Sequence, residues 1–545
     1  AVTVDSTMLG QSLWLLPVQP PIEKIPGARE NAAFQFNKAA YEQPSAPAGA
    51  TVQPLGIVRG RELWLLEVRP VEYDPAHETV KVYPHLRASV RFGGGRIDTA
   101  YSPLPGLHRV VLNPELVPAT RGTGNYLICV ADAFAGNIAA FAAAKQAQGF
   151  TVTTYTVPAG TTNTALKTYI QGLYGVPATA PDYVLLVGDT NLIPHFVGGG
   201  NGSPDTDLTY VCMDGPTDWY PDIAIGRFPA RTAAQLQAML DKTLYYEGGV
   251  WADPNYVKRS MWMASEDNYT VSEGTHNWCI NNYMIPNEIA YVKLYCHTYG
   301  ATTQQVRDNF NAGRFWAVYS GHGGDTSWAD GPPFSQSDVN GLTNVNMYPV
   351  VWSFACVTGH YSIDECFMET WVRVANKGAA VAVGSSVNSY WTEDDILQKK
   401  LFDAIYDDND AVVAEVGPIL NETKMRYLAH FGVVTNTRRY FEMYNIMGDP
   451  ALSFPGNCSE VGQIQLDNPK YACEATATIR VLDCGPNLNP NGVDTLQVHV
   501  SSNTDPAGRL LTLTETNPNS ALFQGTLTVS AGGAAGANQI GRAHV

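Results

Sequence analysis

The chain has 545 residues, a formal net charge of −17, and a composition in which 45% of the residues are hydrophobic. This length predicts three or four folded units, and the apolar fraction is high enough for each to bury a core. The acidic balance disfavours nucleic acids and anionic membranes as partners, because both would repel the protein. No apolar run reaches the roughly 18 residues that a membrane-spanning helix needs.

The cysteines give a first indication of the redox environment. The chain contains nine of them, and no two stand in a CxxC pair, which disfavours a zinc ribbon or a thioredoxin-like site. Cys458, Cys473 and Cys484 lie close together in the sequence, and a disulfide among them would suit an oxidising compartment. The chain begins at Ala1 without a signal sequence, so we expect a processed or truncated N-terminus.

Residues 1–123 favour an all-β unit followed by a linker. Short runs of β-branched, aromatic and aliphatic residues, such as LWLLPV and ETVKVYPHLRASVRF, are separated by turns rich in proline and glycine. Little in this region has the periodicity of a helix. Its histidines, His77 and His85, are interpreted as ordinary surface side chains.

From residue 124 the pattern changes to an alternation of strands and helices, which is typical of a parallel, doubly wound sheet. One block covers residues 124–258 and contains YLICVADAF and YVLLVGD as strands. A second block of the same design covers residues 259–455. We expect these blocks to be two subdomains of one catalytic unit.

Beyond Pro455 the helical pattern ends. Residues 456–530 alternate apolar and polar side chains between turn signals, which favours a β-sandwich of immunoglobulin type. Residues 531–545 are low in complexity, and their last residues resemble translated library sequence. This tail is therefore excluded from the fold prediction.

Two strands of the second block end on residues that can do chemistry. The run FWAVYSGHGG stops at a turn that carries His322, and the run YPVVWSFACVTG stops at Cys356. Neighbouring parallel strands present their carboxyl ends at one edge of the sheet, where open α/β folds bind ligands. A thiol beside an imidazole is the arrangement of a nucleophile and its base. Cys356 alone would more commonly be a buried apolar side chain, and the neighbouring His322 shifts the balance towards catalysis.

Further groups at the same edge would complete such a site. Glycines beside His322 allow a substrate to approach closely, so the amides of Gly323 and Cys356 are candidates for an oxyanion hole. The strand SMWMASED ends at Glu266 and Asp267. Either carboxylate could orient the imidazole, and both also fit a solvated acidic turn.

The ordered set of motifs resembles one family. The segments YVLLVGD, IAIGRFPA, GHGG, FACVTG, AAVAVGSSVNSYW and MYNIMGDPAL are similar, in order and spacing, to the gingipain family of cysteine peptidases over residues 124–455. The resemblance implies a caspase-like fold with two subdomains, an N-terminal propeptide-like domain and a C-terminal immunoglobulin-like domain. By position, Cys356 matches the family's nucleophile, His322 its general base, and Glu266 the acidic residue that supports the histidine.

The resemblance also bears on the substrate pocket. Trp391 falls on the aromatic residue that lids the S1 pocket. The family's arginine-selecting aspartate would fall where this chain has Thr275 and His276, so arginine specificity does not transfer. Asp394 and Asp395, just after the lid, are alternative sources of negative charge for the pocket.

A structural metal is the remaining expectation. The chemistry itself requires no cofactor, but gingipain-like enzymes are calcium-stabilised, and this chain has an aspartate-rich loop with hard oxygen ligands. Such loops are mostly solvated turns, and the spacing is not that of an EF-hand. The candidate ligands are Asp207, Asp214, Asp218 and Asp222.

These features predict a secreted or cell-surface endopeptidase that cleaves protein substrates through a thioester and is made as a zymogen. Its N-terminal β unit would act as the propeptide and be cut off near the 100–124 linker, which contains Arg109 and Arg121. The alternative from another class is an adhesion or scaffold protein with an inactive peptidase fold. A transpeptidase that uses the same thioester is a third hypothesis.

Overall fold

A computed structural model describes most of the chain. The described residues are 3–9, 14–91, 100–114, 117, 124–248, 251, 253–406 and 415–454, followed by 463–466, 471–472, 474–483, 493–502, 505–516, 522–529 and 539–540. Arg121 and the predicted disulfide cysteines Cys458, Cys473 and Cys484 lie outside these ranges.

The N-terminal part is built from antiparallel strands. One small sheet has the order β1 (Thr3–Leu9), β5 (Thr79–Arg87), β4 (Val71–Asp74), and β2 (Gly49–Val58) pairs with β3 (Arg61–Arg69) as a hairpin. The hairpin turn places Arg59 and Gly60 at positive φ, as a two-residue turn between twisted strands requires. Residues 14–48 have little regular structure apart from a short 3-10 helix, Lys38–Tyr41.

The middle part contains the large α/β unit. Its strands are β6 (Asn125–Ala131), β7 (Thr151–Val157), β8 (Tyr183–Val187), β9 (Phe196–Val197), β10 (Asp205–Thr206), β11 (Ala224–Phe228), β12 (Arg259–Ala264), β13 (Ala290–Tyr295), β14 (Trp316–Ser320), β15 (Gly323–Gly324), β16 (Ser327–Trp328), β17 (Phe334–Ser335), β18 (Val350–Phe354), β19 (Val381–Ser385) and β20 (Tyr444–Met447). Its helices are α1 (Ala139–Ala147), α2 (Asn163–Tyr174), α3 (Ala233–Glu247), α4 (Tyr269–Cys279), α5 (Cys296–Tyr299), α6 (Thr303–Asn311), α7 (Gln336–Asn340), α8 (Phe367–Arg373), α9 (Trp391–Tyr406), α10 (Val416–Phe431) and α11 (Thr435–Met443).

Ten of the described strands form one sheet, in the order β13-β12-β14-β18-β19-β20-β11-β8-β6-β7. The neighbours are parallel except β19 and β20, which are antiparallel. The strands of residues 124–258 therefore run opposite to β12–β19, and the carboxyl ends of the two groups lie at opposite edges. The predicted α/β class is confirmed, and β14 and β18 are parallel neighbours as expected.

Side chains of β14 show why its sequence is apolar throughout. Trp316 and Val318 are buried in a core shared with α4, α9, α10 and α11, whereas Ala317 and Tyr319 are buried in the core on the other face, shared with α1, α2, α3, α6 and α8. Alternate residues of a strand point to opposite faces, and helices cover both faces of this sheet. Among the described helices, none combines the length and apolar character needed to cross a bilayer.

The C-terminal part is an antiparallel sheet apart from its last short strand. It consists of β21 (Gln463–Leu466), β22 (Thr476–Leu482), β23 (Thr495–Ser502), β24 (Asp505–Glu515), β25 (Leu522–Val529) and β26 (Gln539–Ile540). A small core that includes Leu513 and Phe523 is buried within it. The described strands belong to a single sheet, so the predicted immunoglobulin-like sandwich is not confirmed.

Candidate active site

The strands β14 and β18 deliver a histidine and a cysteine to one point. β14 ends two residues before His322, and β18 ends two residues before Cys356. The last residues of the two strands are paired, so the side chains that follow emerge side by side. Both side chains reach the same atom, because the carbonyl oxygen of Lys24 lies 2.6 Å from His322 Nδ1 and 3.2 Å from Cys356 Sγ.

The carboxylate that supports the histidine is Asp267. Its Oδ2 lies 3.0 Å from His322 Nε2, and Asp330 accepts a 2.8 Å hydrogen bond from the His322 amide. Glu266 points elsewhere: its Oε1 lies 3.0 Å from His297 Nδ1, and its side chain is 62% exposed. Successive residues beyond a strand project to different sides, so only one of the two carboxylates faces the imidazole. The structure therefore replaces Glu266, the predicted partner, with Asp267.

Gly323 follows the histidine in a tightly packed turn. A β-carbon at this position would lie 2.7 Å from the carbonyl oxygen of Cys356 and 2.9 Å from the Cβ of Ala355. Only glycine fits there, which is why the turn after β14 can approach the cysteine so closely. The Gly323 backbone thus lies beside Cys356, where the sequence predicts an oxyanion-hole amide.

Residues 22–24 of the N-terminal segment lie across this site and pair through their main chain with residues 389–391. The Lys24 amide donates to Ser389 O at 2.8 Å, the Trp391 amide donates to Ile22 O at 3.0 Å, and Glu23 bridges Tyr390 in antiparallel fashion. Main-chain pairing of this kind is how clefts commonly hold extended peptides. Residues 22–24 therefore occupy the cleft in the manner of a peptide.

The Lys24 side chain fills a closed pocket beside the cysteine. Its Nζ lies 2.9 Å from Asp394 Oδ2, 3.1 Å from Ser320 Oγ and 2.9 Å from the carbonyl oxygen of Phe354. The ammonium also lies 4.8 Å from the centre of the Trp391 ring, a cation–π contact. The side chains of Lys24 and Asp394 are both fully buried, so the charge is paired out of contact with water.

The position of Asp394 follows from the start of α9. This helix begins at Trp391, and residues three apart on a helix share a face, so Trp391 and Asp394 both face the pocket. Asp394 is fixed by hydroxyl donors from Ser389 at 2.7 Å and Tyr444 at 2.7 Å. Asp395 lies on another face, where it accepts from Thr275 and pairs with Lys399, so it is not part of the lysine pocket.

His276, predicted as a substrate-binding residue, is an interior residue of α4. Its Nε2 lies 2.9 Å from the Met263 carbonyl oxygen, and Gln398 donates to its Nδ1 at 2.9 Å. Burial lowers the pKa of His276 to about 3, so the imidazole is neutral. It supports the packing under the cleft and does not line the pocket.

The cysteine is in an unreactive environment while the N-terminal segment is present. Burial raises the pKa of the Cys356 thiol to about 11, although the Ser389 amide donates to its sulfur at 3.2 Å. At neutral pH the group is then a thiol, and the thiolate is the nucleophilic form. His322 lies between two acceptors, the Lys24 carbonyl and Asp267, and can donate to both only as an imidazolium.

Three of the four predicted metal ligands lie together. The carboxylate oxygens of Asp214, Asp218 and Asp222 lie within 4.8 Å of one another. Asp207 is not part of this cluster, and both of its carboxylate oxygens accept hydrogen bonds from Arg227, at 2.6 and 2.8 Å. The prediction of Asp207 as a metal ligand is therefore wrong. Burial raises the pKa of Asp222 to about 7 and that of Asp214 to about 6.

A cysteine and a histidine at adjacent strand ends of a helix-covered α/β sheet define the class of cysteine peptidases with a caspase-like core. A sequence model of peptidase family C25 matches residues 119–455. The chain belongs to this family, as the resemblance to gingipains predicted.

Individual relatives agree with this assignment. Lys-gingipain HG66 of Porphyromonas gingivalis is 30% identical over 404 residues, which cover 70% of this chain and 23% of that protein. Gingipain R2 of Porphyromonas gingivalis is 24% identical over 367 residues, which cover 63% of this chain and 49% of that protein. The crystal structure of the Arg-specific cysteine proteinase gingipain R has a TM-score of 0.58 at 21% identity and covers 75% of this chain and 92% of that one. This chain thus spans about a quarter of the length of the Lys-gingipain it matches.

Sequence reasoning missed the residues that the N-terminal segment brings to the cleft. Lys24 stands in a proline-rich stretch with no feature to mark it as an occupant of a pocket. Ser320 and the Phe354 carbonyl are strand-end groups whose role depends on the register of β14 and β18. No local sequence pattern marks these three groups; the pocket acceptor that the sequence does indicate is Asp394, through its negative charge just after Trp391.

Proposed function

We propose that this chain is the latent form of a cysteine endopeptidase that cleaves after lysine, and that its own N-terminal segment blocks the cleft. The observation that carries the proposal is the fully buried Lys24 ammonium beside Cys356. Lys24 then occupies the S1 pocket, which binds the residue before the scissile bond. The scissile bond corresponds to Lys24–Ile25, and Glu23 takes the place of the residue that precedes the substrate lysine. The 30% identity to a protein named Lys-gingipain supports the choice of lysine.

The pocket matches an ammonium atom by atom. A lysine ammonium has three N–H donors, and three acceptors surround the Lys24 Nζ: Asp394, Ser320 and the Phe354 carbonyl. A guanidinium would instead require two oxygens in a plane for bidentate pairing. The second oxygen of Asp394 already accepts from Tyr440 at 3.1 Å and Tyr444 at 2.7 Å. The pocket therefore favours lysine over arginine.

Catalysis would proceed through a thioester. His322 takes the proton of the Cys356 thiol, and the thiolate attacks the carbonyl carbon after the substrate lysine. The amides of Gly323 and Cys356 hold the oxyanion, and the His322 imidazolium then protonates the leaving amine. Water releases the acyl group with His322 as base. Asp267 acts as a positioning residue, because it fixes the ring and stabilises the imidazolium.

The same contacts explain latency. The Lys24 carbonyl oxygen accepts from the Nδ1 of His322, the nitrogen that would have to receive the thiol proton. The carbonyl oxygen also lies against Cys356 Sγ, so the bond to be cleaved is held with its oxygen, rather than its carbon, towards the nucleophile. The solved complex of the RgpB pro- and mature domains of Porphyromonas gingivalis is similar in fold to this chain, with a TM-score of 0.56 at 21% identity over 74% of this chain.

The N-terminal unit is anchored well away from the cleft. Arg59 at the tip of the β2–β3 hairpin donates to Asp182 at 2.8 Å, and Arg109 is buried in an ion pair with Glu422 at 2.5 Å. Because Arg109 is held this way, a peptidase reaches it only after local opening. No lysine occurs between Lys81 and Lys145, so a lysine-selective enzyme cannot cut its own 100–124 linker. Removal at the linker then requires a second peptidase.

A calcium ion at Asp214, Asp218 and Asp222 belongs to the same proposal. Burial and mutual repulsion raise the pKa values of these clustered carboxyl groups, so they resist ionising together, and a hard divalent cation would stabilise their anionic forms. Its role would be to stabilise the loop, with no part in the chemistry.

We also place the enzyme outside the cell or on its surface, which immunodetection in cell-free culture medium would test.

The deciding experiment compares the intact chain with the chain cut in the 100–124 linker by an added arginine-specific peptidase. A thiol-directed probe should label Cys356 only after the cut, and lysyl peptides should then be hydrolysed. Cys356→Ala should lose both signals. If the cut protein neither labels nor hydrolyses, the peptidase proposal fails and the scaffold hypothesis stands.

A further inference from the structure

Glu23, the residue before Lys24, also lies beside polar side chains of the α/β unit. Because side chains alternate along an extended strand, Glu23 points away from the lysine pocket. The Asn388 amide group donates to Glu23 Oε2 at 3.2 Å, and Arg439 Nη2 lies 4.0 Å from Glu23 Oε1. The Glu23 side chain remains one-third exposed, at 33%. Its carboxylate thus lies at the mouth of a small polar pocket.

Arg439 is held in place independently of Glu23. Its side chain is 4% exposed, and its guanidinium carbon lies 4.8 Å from the centre of the Tyr390 ring. It donates to the backbone carbonyls of Asn201, at 2.9 Å, and Asn388. Its Nε is buried without a hydrogen-bond partner in the described part of the chain. The cation is therefore ordered and incompletely satisfied.

Carboxylates near Arg439 determine which ligand would suit the pocket around Glu23. Within the described ranges, Glu23 is the carboxylate that comes within 4.0 Å of the Arg439 guanidinium. Glu442, on the same helix, is engaged by Arg438 at 2.8 Å. Glu393 also lies near enough for its charge to interact with Arg439, but it forms no ion pair with the guanidinium within 4.0 Å in the described ranges. Withdrawal of the N-terminal segment would therefore remove the carboxylate that pairs with a buried cation, which is unfavourable. A peptide that carries a carboxylate at this position would restore the pair.

We propose that Arg439 and Asn388 select an acidic residue immediately before the substrate lysine, so that the preferred cleavage follows a Glu-Lys pair. The inference rests on the proposed function, since it assumes that residues 22–24 bind in the cleft as a substrate would. We expect kcat/KM to be roughly tenfold higher for glutamate than for glutamine, because hydrogen bonds and pairing to an ionised group are stronger than those to a neutral amide. Aspartate should rank below glutamate, since it is one methylene shorter.

Peptides test this on the linker-cut protein. The set Ala-Glu-Lys, Ala-Asp-Lys, Ala-Gln-Lys and Ala-Lys-Lys, each with a fluorogenic amide after the last lysine, varies only the position in question. Glutamate should be best and lysine worst, and Arg439→Gln should bring the ratio of glutamate to glutamine close to one, while Arg439→Lys should retain part of it. Equal rates for glutamate and glutamine in the wild type would overturn the inference, and so would a preference that survives in Arg439→Gln.

The intact chain provides a second test that separates the two proposals. The rate at which iodoacetamide alkylates Cys356 reports how often the N-terminal segment leaves the cleft. Lys24→Ala should accelerate alkylation most, Glu23→Gln by roughly three- to tenfold, and the control Glu30→Gln, an exposed carboxylate, not at all. If Lys24→Ala accelerates labelling and Glu23→Gln does not, the acidic pocket is wrong and the proposed function stands. If neither accelerates it, the proposed latency is wrong.

Discussion

Replacing Asp394 with asparagine isolates the negative charge of the lysine pocket. One oxygen of Asp394 accepts from the hydroxyls of Tyr440 and Tyr444, and the other pairs with the Lys24 ammonium. Asparagine keeps the shape and one acceptor for the tyrosines, but it directs an uncharged amide group at the ammonium. The substitution therefore removes the ion pair with little change in packing.

The size of the effect follows from the burial of the pair. Both side chains are fully buried, and removal of one partner from a buried ion pair costs about 3–5 kcal/mol. Each 1.36 kcal/mol is a factor of ten, so kcat/KM for lysyl peptides should fall by about 10²- to 10⁴-fold. Because the same pair holds the N-terminal segment, the intact Asp394→Asn chain should also label faster at Cys356.

The value of kcat/KM is obtained from initial rates on a fluorogenic lysyl peptide, measured with the linker-cut protein. Asp395→Asn is the matched control, since the neighbouring carboxylate contacts Thr275 and Lys399 and should change the rate less than about threefold, as a part-exposed pair does. A fall of less than tenfold in Asp394→Asn, or an equal fall in both variants, would refute the assignment of the pocket.

Three further predictions concern the base, the latent state and the metal. Asp267→Asn should lower kcat by about 10- to 100-fold with little change in KM and should alter the pH profile, because Asp267 contacts the imidazole at 3.0 Å. Glu266→Gln should stay within about twofold, because Glu266 contacts His297 instead; equal losses in the two variants would contradict this. With the thiol pKa near 11, Cys356 of the intact protein at pH 7.5 should be alkylated about 300-fold more slowly than a free thiol of pKa near 8.5. Because the thiol holds its proton more tightly while the N-terminal segment is bound in the cleft, binding of this segment should weaken as the pH rises from 9 towards 11. An alkylation rate equal to that of the cut protein would contradict the proposal that the segment blocks the cleft. Calcium should raise the melting temperature at pH 7.5 by a few degrees, less as the pH falls below the pKa of Asp222 near 7, and not in Asp222→Asn; no shift in the wild type would exclude the site.

Much of the fold could be predicted because its strands are unambiguous. β14 and β18 are short apolar runs that end on glycine-rich turns, and this pattern alone predicts parallel neighbours with His322 and Cys356 at their ends. The reversal of direction between β19 and β20 could not be predicted, because nothing in an apolar strand encodes which neighbour it joins. The choice between Glu266 and Asp267 depends on one residue of register, which sequence patterns do not resolve.

The pocket was less predictable for a different reason. Its acceptors come from β14, β18 and α9, and its occupant comes from a segment about 300 residues away, since Lys24 bonds Ser320 across a separation of 296 positions. Contacts of this range are set by the packed fold and leave no local periodicity. The family resemblance indicates Trp391, and Asp394 is indicated by its negative charge just after that residue.

The central claim is that the pocket filled by Lys24 is the pocket that selects the substrate. Its most direct test is the ratio of kcat/KM for two peptides that differ only in lysine or arginine before the scissile bond, measured on the linker-cut protein. The three acceptors around the Lys24 Nζ predict a ratio of at least about 100 in favour of lysine, in line with a site whose buried polar groups would be left unpaired by the wrong substrate. A ratio near one, or a preference for arginine, would contradict the account.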